Sequence, residues 1–155
     1  MPGIAAIAND DRQRVAQELG RVLADTYTLM LKTQGFHWNV TGPRFTSLHA
    51  MFEQQYRDLF AAADAVAERI RALGEPAPAS YRAYQNLRSI DENDAALDAD
   101  AMVRVLAADH EALSRSAAKA RVIAEDAGDQ VSVDMMVQRM TQHDKTAWML
   151  NASVG

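Results

Sequence analysis

The chain predicts an all-α fold: a four-helix bundle with a short extra helix in the crossover between the second and third long helices. Three observations predict it. Apolar residues recur at alternating steps of four and three along four stretches, the period of one buried helix face. Breaks rich in glycine and proline separate those stretches, and no alternating run of strand type competes with them. The length of 155 residues, 48% of them hydrophobic, suits a single domain over 1–155 that buries roughly 68–70% of its unfolded surface.

Residues 1–9 read as a short flexible N-terminal tail, with Asn9 and Asp10 as capping candidates for the first helix. The stripe Val15, Leu19, Val22, Thr26, Met30, Thr33, His37 carries that helix to about Asn39. Thr41-Gly42-Pro43 breaks it, and Phe45, Leu48, Phe52, Leu59, Ala63, Val66, Ile70 and Leu73 carry the second, closed by Gly74. The segment GEPAPAS cannot be helical, and about 20 residues over 76–93 are too many for a tight bundle turn, so a short helix at Tyr81–Leu87 is expected inside the crossover. Val103, Leu106, His110, Leu113, Ala117, Ala120 and Ala124 form a third stripe ending at Gly128. Val133, Met136, Met140, His143, Ala147 and Leu150 form the fourth. Two helical hairpins follow, first with second and third with fourth.

Composition narrows the chemistry. The absence of cysteine excludes disulfides, zinc–thiolate sites, iron–sulfur clusters and thiol nucleophiles, so any metal must be held by histidine and carboxylate. The net charge of −5 disfavours nucleic acid and favours cations as partners. No apolar run approaches the ~20 residues of a membrane span, and the opening MPGIAAIANDD lacks the basic start and long apolar core of a signal peptide. A cytoplasmic protein is expected.

The second helix carries the strongest functional signal. His49 with Glu53 and Asp64 with Glu68 are two i,i+4 pairs of metal-ligand type, all within an arc of about 100°. With His49 at 0° the core stripe centres near about −75° and the four ligands near about +50°, so they flank the core beside Tyr56 and Phe60. At ~1.5 Å per residue the pairs stand on the order of 16 Å apart, too far to share an ion within one chain. An antiparallel copy of the helix across a two-fold axis closes the gap, setting His49 and Glu53 of one subunit against Asp64 and Glu68 of the other, twice. The short turn at Gly42-Pro43 also returns the chain so that His37 can approach His49. Two imidazoles with carboxylates suit Fe(II), Zn(II), Mn(II) or Co(II), and the oxygen-rich remainder leans towards iron or manganese.

The block FHWNVTGPRFTSLHAMFEQQYRDLFAAADAVAERIRALG, with His37-Trp38-Asn39, His49 twelve residues after His37 and Asp64-Ala-Val-Ala-Glu68-Arg69, resembles the Dps family of miniferritins, the DNA-binding proteins from starved cells. Gly128-Asp129 and Lys145-Thr-Ala-Trp148-Met are similar too, and the likeness spans about residues 15–152. The resemblance implies a ferritin-like four-helix subunit in a hollow dodecamer within the bacterial cytoplasm or nucleoid. It implies a ferroxidase centre at the two-fold interface, with His37, His49 and Glu53 from one chain and Asp64 and Glu68 from its mate. Hydrogen peroxide is the oxidant it implies, ahead of oxygen, with Fe(III) stored inside. One residue departs from the family, which commonly has Asp where this chain has Glu53; the longer carboxylate bears on whether a second iron binds. The same resemblance makes Asp129 and Asp134 candidates for lining the acidic pores that admit iron.

Chemistry fits that implication, because hard carboxylates favour Fe(III) over Fe(II) and a sparse ligand set leaves positions open for the oxidant. The Glu-x-x-His pairs that hold di-iron inside a single bundle are absent from the chain. Trp38, beside His37, either shields the centre and quenches one-electron oxidants or simply packs as an aromatic. His110 and His143 read as satisfied core or interface histidines, Met135, Met136, Met140 and Met149 as gap fillers, and Asp126, Asp129 and Asp134, apart from the pore implication, as capping and turn residues. DNA binding should be weak or absent. Residues 1–9 and the final NASVG carry no Lys or Arg, and twelve subunits at −5 would give about −60, which repels a polyanion. Three readings follow: an iron-oxidising and iron-storing enzyme, a nucleoid-coating DNA binder with incidental iron, and a metal-dependent hydrolase, for which no nucleophile and base accompany the metal site.

Overall fold

The computed structural model describes residues 3–155; Met1 and Pro2, the first positions of the expected tail, lie outside it. After a 3-10 turn at Ile4–Ala6, the helices are α1 (Asn9–Asn39), α2 (Phe45–Ala72), α3 (Tyr81–Leu87), α4 (Ala99–Asp126) and α5 (Gln130–Ala152). No strand occurs among the described residues. As expected from the stripes, α1 packs along α2 and α4 along α5, with α1 also lying against α4 and short α3 against α1.

Residues 3–8 differ from a free tail: Ile7 is buried and Ile4 packs against the core. Two apolar side chains just before a helix have a hydrophobic surface to cover, and covering it docks the segment. The helix begins after Ala8, which offers no capping side chain. Asn9 and Asp10 therefore lie inside the first turn instead of capping it, where Asp10 and Asp11 oppose the positive end of the helix dipole.

The other boundaries have identifiable causes. Gly74 (φ 97°) and Gly128 (φ 73°) adopt the left-handed conformation just past α2 and α4. After each, the next residue's N–H reaches back five positions, Glu75 to the Ile70 carbonyl and Asp129 to that of Ala124, satisfying carbonyls the helix leaves open. Ser80, Asp98 and Asp129 cap α3, α4 and α5 by accepting from the backbone N–H groups of Ala83, Ala101 and Ser132.

Phe52, Leu19, Leu23, Leu59, Leu106, Leu113, Met136 and Leu150 fill one shared core. Met136 is fully buried and Met135 and Met140 pack against its edge, but Met149 is exposed beside Trp148, so it fills no gap. Asp25 is a buried exception on α1. Its carboxylate accepts from Ser89 N (2.6 Å), Ser89 Oγ (2.7 Å), Ile90 N (3.0 Å) and Ser116 Oγ (3.0 Å), pinning the end of the crossover to α1 and α4. Between α2 and α5 the bridges are ionic, Arg139 to Asp58 at 2.9 Å and Arg69 to Asp129 at 2.6 Å.

Candidate metal centre

At the turn end of the α1–α2 hairpin, His37 and His49 stack face to face with ring centroids 3.8 Å apart and planes 13° from parallel. Their backbones hold them there reciprocally. His37 Nδ1 lies 2.7 Å from the His49 carbonyl oxygen, and His49 Nδ1 lies 2.7 Å from the His37 carbonyl oxygen. A carbonyl can only accept, so each Nδ1 carries the hydrogen and donates it. In the neutral rings both Nε2 atoms are consequently left with a free lone pair, the form in which a histidine binds a metal with its other nitrogen anchored.

Neighbours fix the pair further. Phe45 stacks on the outer face of His49 (4.9 Å), and Tyr56 meets the ring of His37 edge-on (5.2 Å). Glu53, one turn after His49, brings Oε1 to 3.8 Å from His37 Nε2, while its Oε2 accepts from Arg57 Nε at 3.3 Å. Thus His37, His49 and Glu53 gather at one place, as the spacing and the short turn predict.

Asp64 and Glu68 lie further along α2, both exposed, and no ion-pair or hydrogen-bond partner for either occurs among the described residues. An Arg neighbour would be the ordinary fate of such acids, and Arg69 is adjacent in sequence. It turns instead to Asp129 and Ser132 on α5. Among the described residues of this one chain, no group of three or more His, Asp or Glu side chains is arranged to hold an ion. The donor types nevertheless fit a borderline cation such as Fe(II): two imidazole nitrogens with one carboxylate oxygen close by, and two unpaired carboxylates on the same helix.

The remaining sequence-selected residues fall elsewhere. Trp38 is 61% exposed and lines a groove of about 840 Å³ between α1, α3 and the segment 92–97, so it neither packs in the core nor covers the histidines within the chain. Asp129 is buried, caps α5 and binds Arg69 and Ser132, which occupies both oxygens. Within this chain its oxygens serve the cap and the link between α2 and α5. Asp134 is exposed and held only by Gln138 at 2.9 Å. His110 and His143 are core histidines with Nδ1 atoms 3.0 Å apart, although His110 Nε2 has no partner. Burial foremost, then the nearby Arg139 cation, pushes His110 down to about 4 and His143 to about 2. Sequence reasoning did not find Phe45, Tyr56 and Arg57 as supports of the site, although the four-residue step from Glu53 to Arg57 was a readable sign.

Comparison with known proteins agrees with this architecture. The ferritin-like domain family matches residues 16–155. A low temperature-induced protein of Nostoc is 36% identical, covering 99% of this chain and 88% of that one. The DNA protection during starvation protein 2 of Bacillus anthracis is 34% identical over 90% of this chain and 96% of its own. Among solved structures, Dps from Staphylococcus aureus superposes with a TM-score of 0.89 at 34% identity (92% of this chain, 96% of that one). The Dps protein of Vibrio cholerae O1, described as a member of a broad superfamily of ferritin-like diiron-carboxylate proteins, gives 0.92 at 29% identity (97% and 94%). With the bundle, the crossover helix and the His37–His49 pair in place, the chain belongs to the Dps family of ferritin-like miniferritins.

Proposed function

We propose that this protein oxidises Fe(II) at centres shared between two subunits and stores the Fe(III) product inside a hollow dodecamer. The observation that carries the reading is the divided ligand set. His37 and His49, each anchored through Nδ1, keep Nε2 available beside Glu53, while Asp64 and Glu68 stand without a partner among the described residues further along the same helix. Two such helices running antiparallel across a two-fold axis would complete two five-residue centres, each with His37, His49 and Glu53 from one chain and Asp64 and Glu68 from the mate. Phe60, 63% exposed on the ligand side of α2, is the kind of apolar group such a mate would cover.

Iron is the substrate. Carboxylates favour its oxidised state, and a centre with few protein ligands leaves positions for the oxidant. With hydrogen peroxide, two Fe(II) ions give up one electron each, the O–O bond breaks, and with two waters the products are two ferric oxyhydroxide units and four protons. Peroxide and Fe(II) disappear together, which removes both reagents of hydroxyl-radical chemistry. Asp129 and Asp134 are the candidate carboxylates for drawing cations to a pore, Asp134 exposed with one oxygen accepting from Gln138 and Asp129 holding the start of α5.

The test is anaerobic Fe(II) loading followed by measured additions of peroxide, with absorbance reporting ferric product. Wild type should oxidise about two Fe(II) per peroxide, and His49→Ala or Asp64→Ala should slow this at least about tenfold with assembly intact, the scale of losing a group that binds the reacting species. Unchanged oxidation in both variants would reject the site.

A further inference from the structure

The crossover meets α1 through a pair of phenols. Tyr27 of α1 and Tyr84 of α3 have ring centroids 5.0 Å apart and planes 32° from parallel, towards the close end of the range of about 4.5–7 Å for aromatic pairs. Planes this near to parallel set ring carbons against one another, not an edge alone. Both rings are half-buried against the core, and both line the groove beside Trp38, so a small oxidant in solution reaches them without unfolding the chain.

Asp25 keeps the pair together. It stands two residues before Tyr27 and accepts from Ser89 N and Ile90 N just beyond α3, which fixes the short helix at the level of Tyr27. The other tyrosines are placed differently: Tyr81 is 75% exposed, and Tyr56 turns to His37.

We propose that Tyr27 and Tyr84 form an oxidative modification site, at which one-electron oxidation joins their rings into a dityrosine that ties α3 to α1. Each phenol gives one electron and one proton to an oxidant such as hydroxyl radical, which becomes water. The two phenoxyl radicals then share their odd electrons in one C–C bond between carbons next to the oxygens. The hydrogen on each joined carbon moves to its oxygen, so both phenols are restored and the product has two hydrogens fewer than the starting pair. Two radicals are consumed for each link. Burial foremost, then the neighbouring Tyr27, raises the Tyr84 hydroxyl above its ordinary range, so at neutral pH the proton leaves together with the electron.

The link encloses the end of α1, all of α2 and the turn before α3 in one covalent loop. A cross-link around a long loop stabilises chiefly by restricting the unfolded chain, so the linked protein should unfold at a higher denaturant concentration.

Brief illumination of the assembled, metal-free protein with ruthenium tris-bipyridyl and persulfate removes single electrons from phenols without iron, so the test is independent of the ferroxidase reading. Wild type should gain dityrosine fluorescence. Proteolytic mass spectrometry should find the Tyr27 and Tyr84 peptides joined within one chain, lighter than their sum by two hydrogens. Tyr27→Phe and Tyr84→Phe each keep a ring in place and should lose both signals to background with an unchanged circular dichroism spectrum, whereas Tyr81→Phe should retain them. Dityrosine that persists in either of the first two variants, a link through Tyr56 or Tyr81 or between subunits in its place, or oxidised Tyr27 and Tyr84 with no joined peptide overturns the proposal. An unchanged denaturation midpoint in the linked protein overturns the tie between α3 and α1.

Discussion

If the centre is divided between chains, two inactive variants should repair one another. His49→Ala removes one nitrogen ligand together with its stacking partner and one of the reciprocal backbone hydrogen bonds, and Asp64→Ala removes an exposed carboxylate on the other half. In an interface between two copies of either variant, both centres lack a ligand. An interface with one copy of each has one centre missing both and one complete, because the intact His37, His49 and Glu53 of the Asp64→Ala chain face the intact Asp64 and Glu68 of the other. Random pairing of equal amounts makes about half the interfaces mixed, so about one quarter of all centres should be complete and the oxidation rate should return to about one quarter of wild type. The assay is Fe(II) oxidation after controlled disassembly and reassembly, with native mass spectrometry of differently tagged chains verifying mixed pairs. Verified mixed pairs with no recovery above either single variant would refute the divided centre. Recovery approaching wild type would also refute it, since one centre in each mixed pair is doubly broken.

The remaining predictions concern stability and partners. His110 and His143 are held neutral with folded values of about 4 and about 2, below the ordinary value near 6.5, so their stabilising effect is complete above pH 6.5 and is lost as pH falls towards those values. From pH 7 to pH 5 the loss should be about 2 kcal/mol per histidine; denaturant titrations should show a flatter pH dependence for His143→Gln, and an identical slope would contradict the assignment. Asp25→Ala strands the N–H groups of Ser89 and Ile90 and should cost roughly 3–5 kcal/mol in the same measurement. A change under about 1 kcal/mol would show that the crossover is held by other contacts. Plasmid DNA should migrate unretarded in a gel shift at about 150 mM salt without divalent cations, as expected from the charge of −5; a clear retardation there would make DNA a genuine partner.

Periodic features were legible in the sequence and cooperative ones were not. The bounds of α3 were readable because Pro78 forbids an earlier helix and Ser80 supplies a cap. The docking of Ile7 was harder to see, since two isoleucines in a short segment carry no period. Proximity of His37 and His49 followed from a short turn between two phased helices. Their reciprocal bonds to each other's carbonyls did not, because these depend on the crossing and rotation of α1 against α2. Asp25 was invisible for a related reason: its four donors arrive from residues 64 to 91 positions away. Asp129 was legible as a capping and turn residue, but its ion pair with Arg69 was not, because that partner arrives from α2.

The unpaired acids also bear on how assembly and cation binding depend on each other. Burying Asp64 and Glu68 under a second subunit without compensation would oppose association, because an ionised carboxylate withdrawn from water is costly until something positive meets it. Among the described residues nothing does: Arg57 is engaged by Glu53, and Arg69 by Asp129. A cation held by the mate's His37 and His49 would supply the missing charge, whereas a histidine pair alone, with both Nδ1 hydrogens committed to carbonyls, supplies none while neutral. On the proposed pairing, the ligand-bearing face of α2 is incomplete in two senses, lacking among the described residues a covering helix for Phe60 and a positive charge for its acids. An antiparallel copy of the chain would bring the first, and with a bound ion it would bring the second. By linkage, anything that binds only the paired state must favour pairing, so on the proposed reading the ion that serves as substrate would also stabilise the surface that binds it.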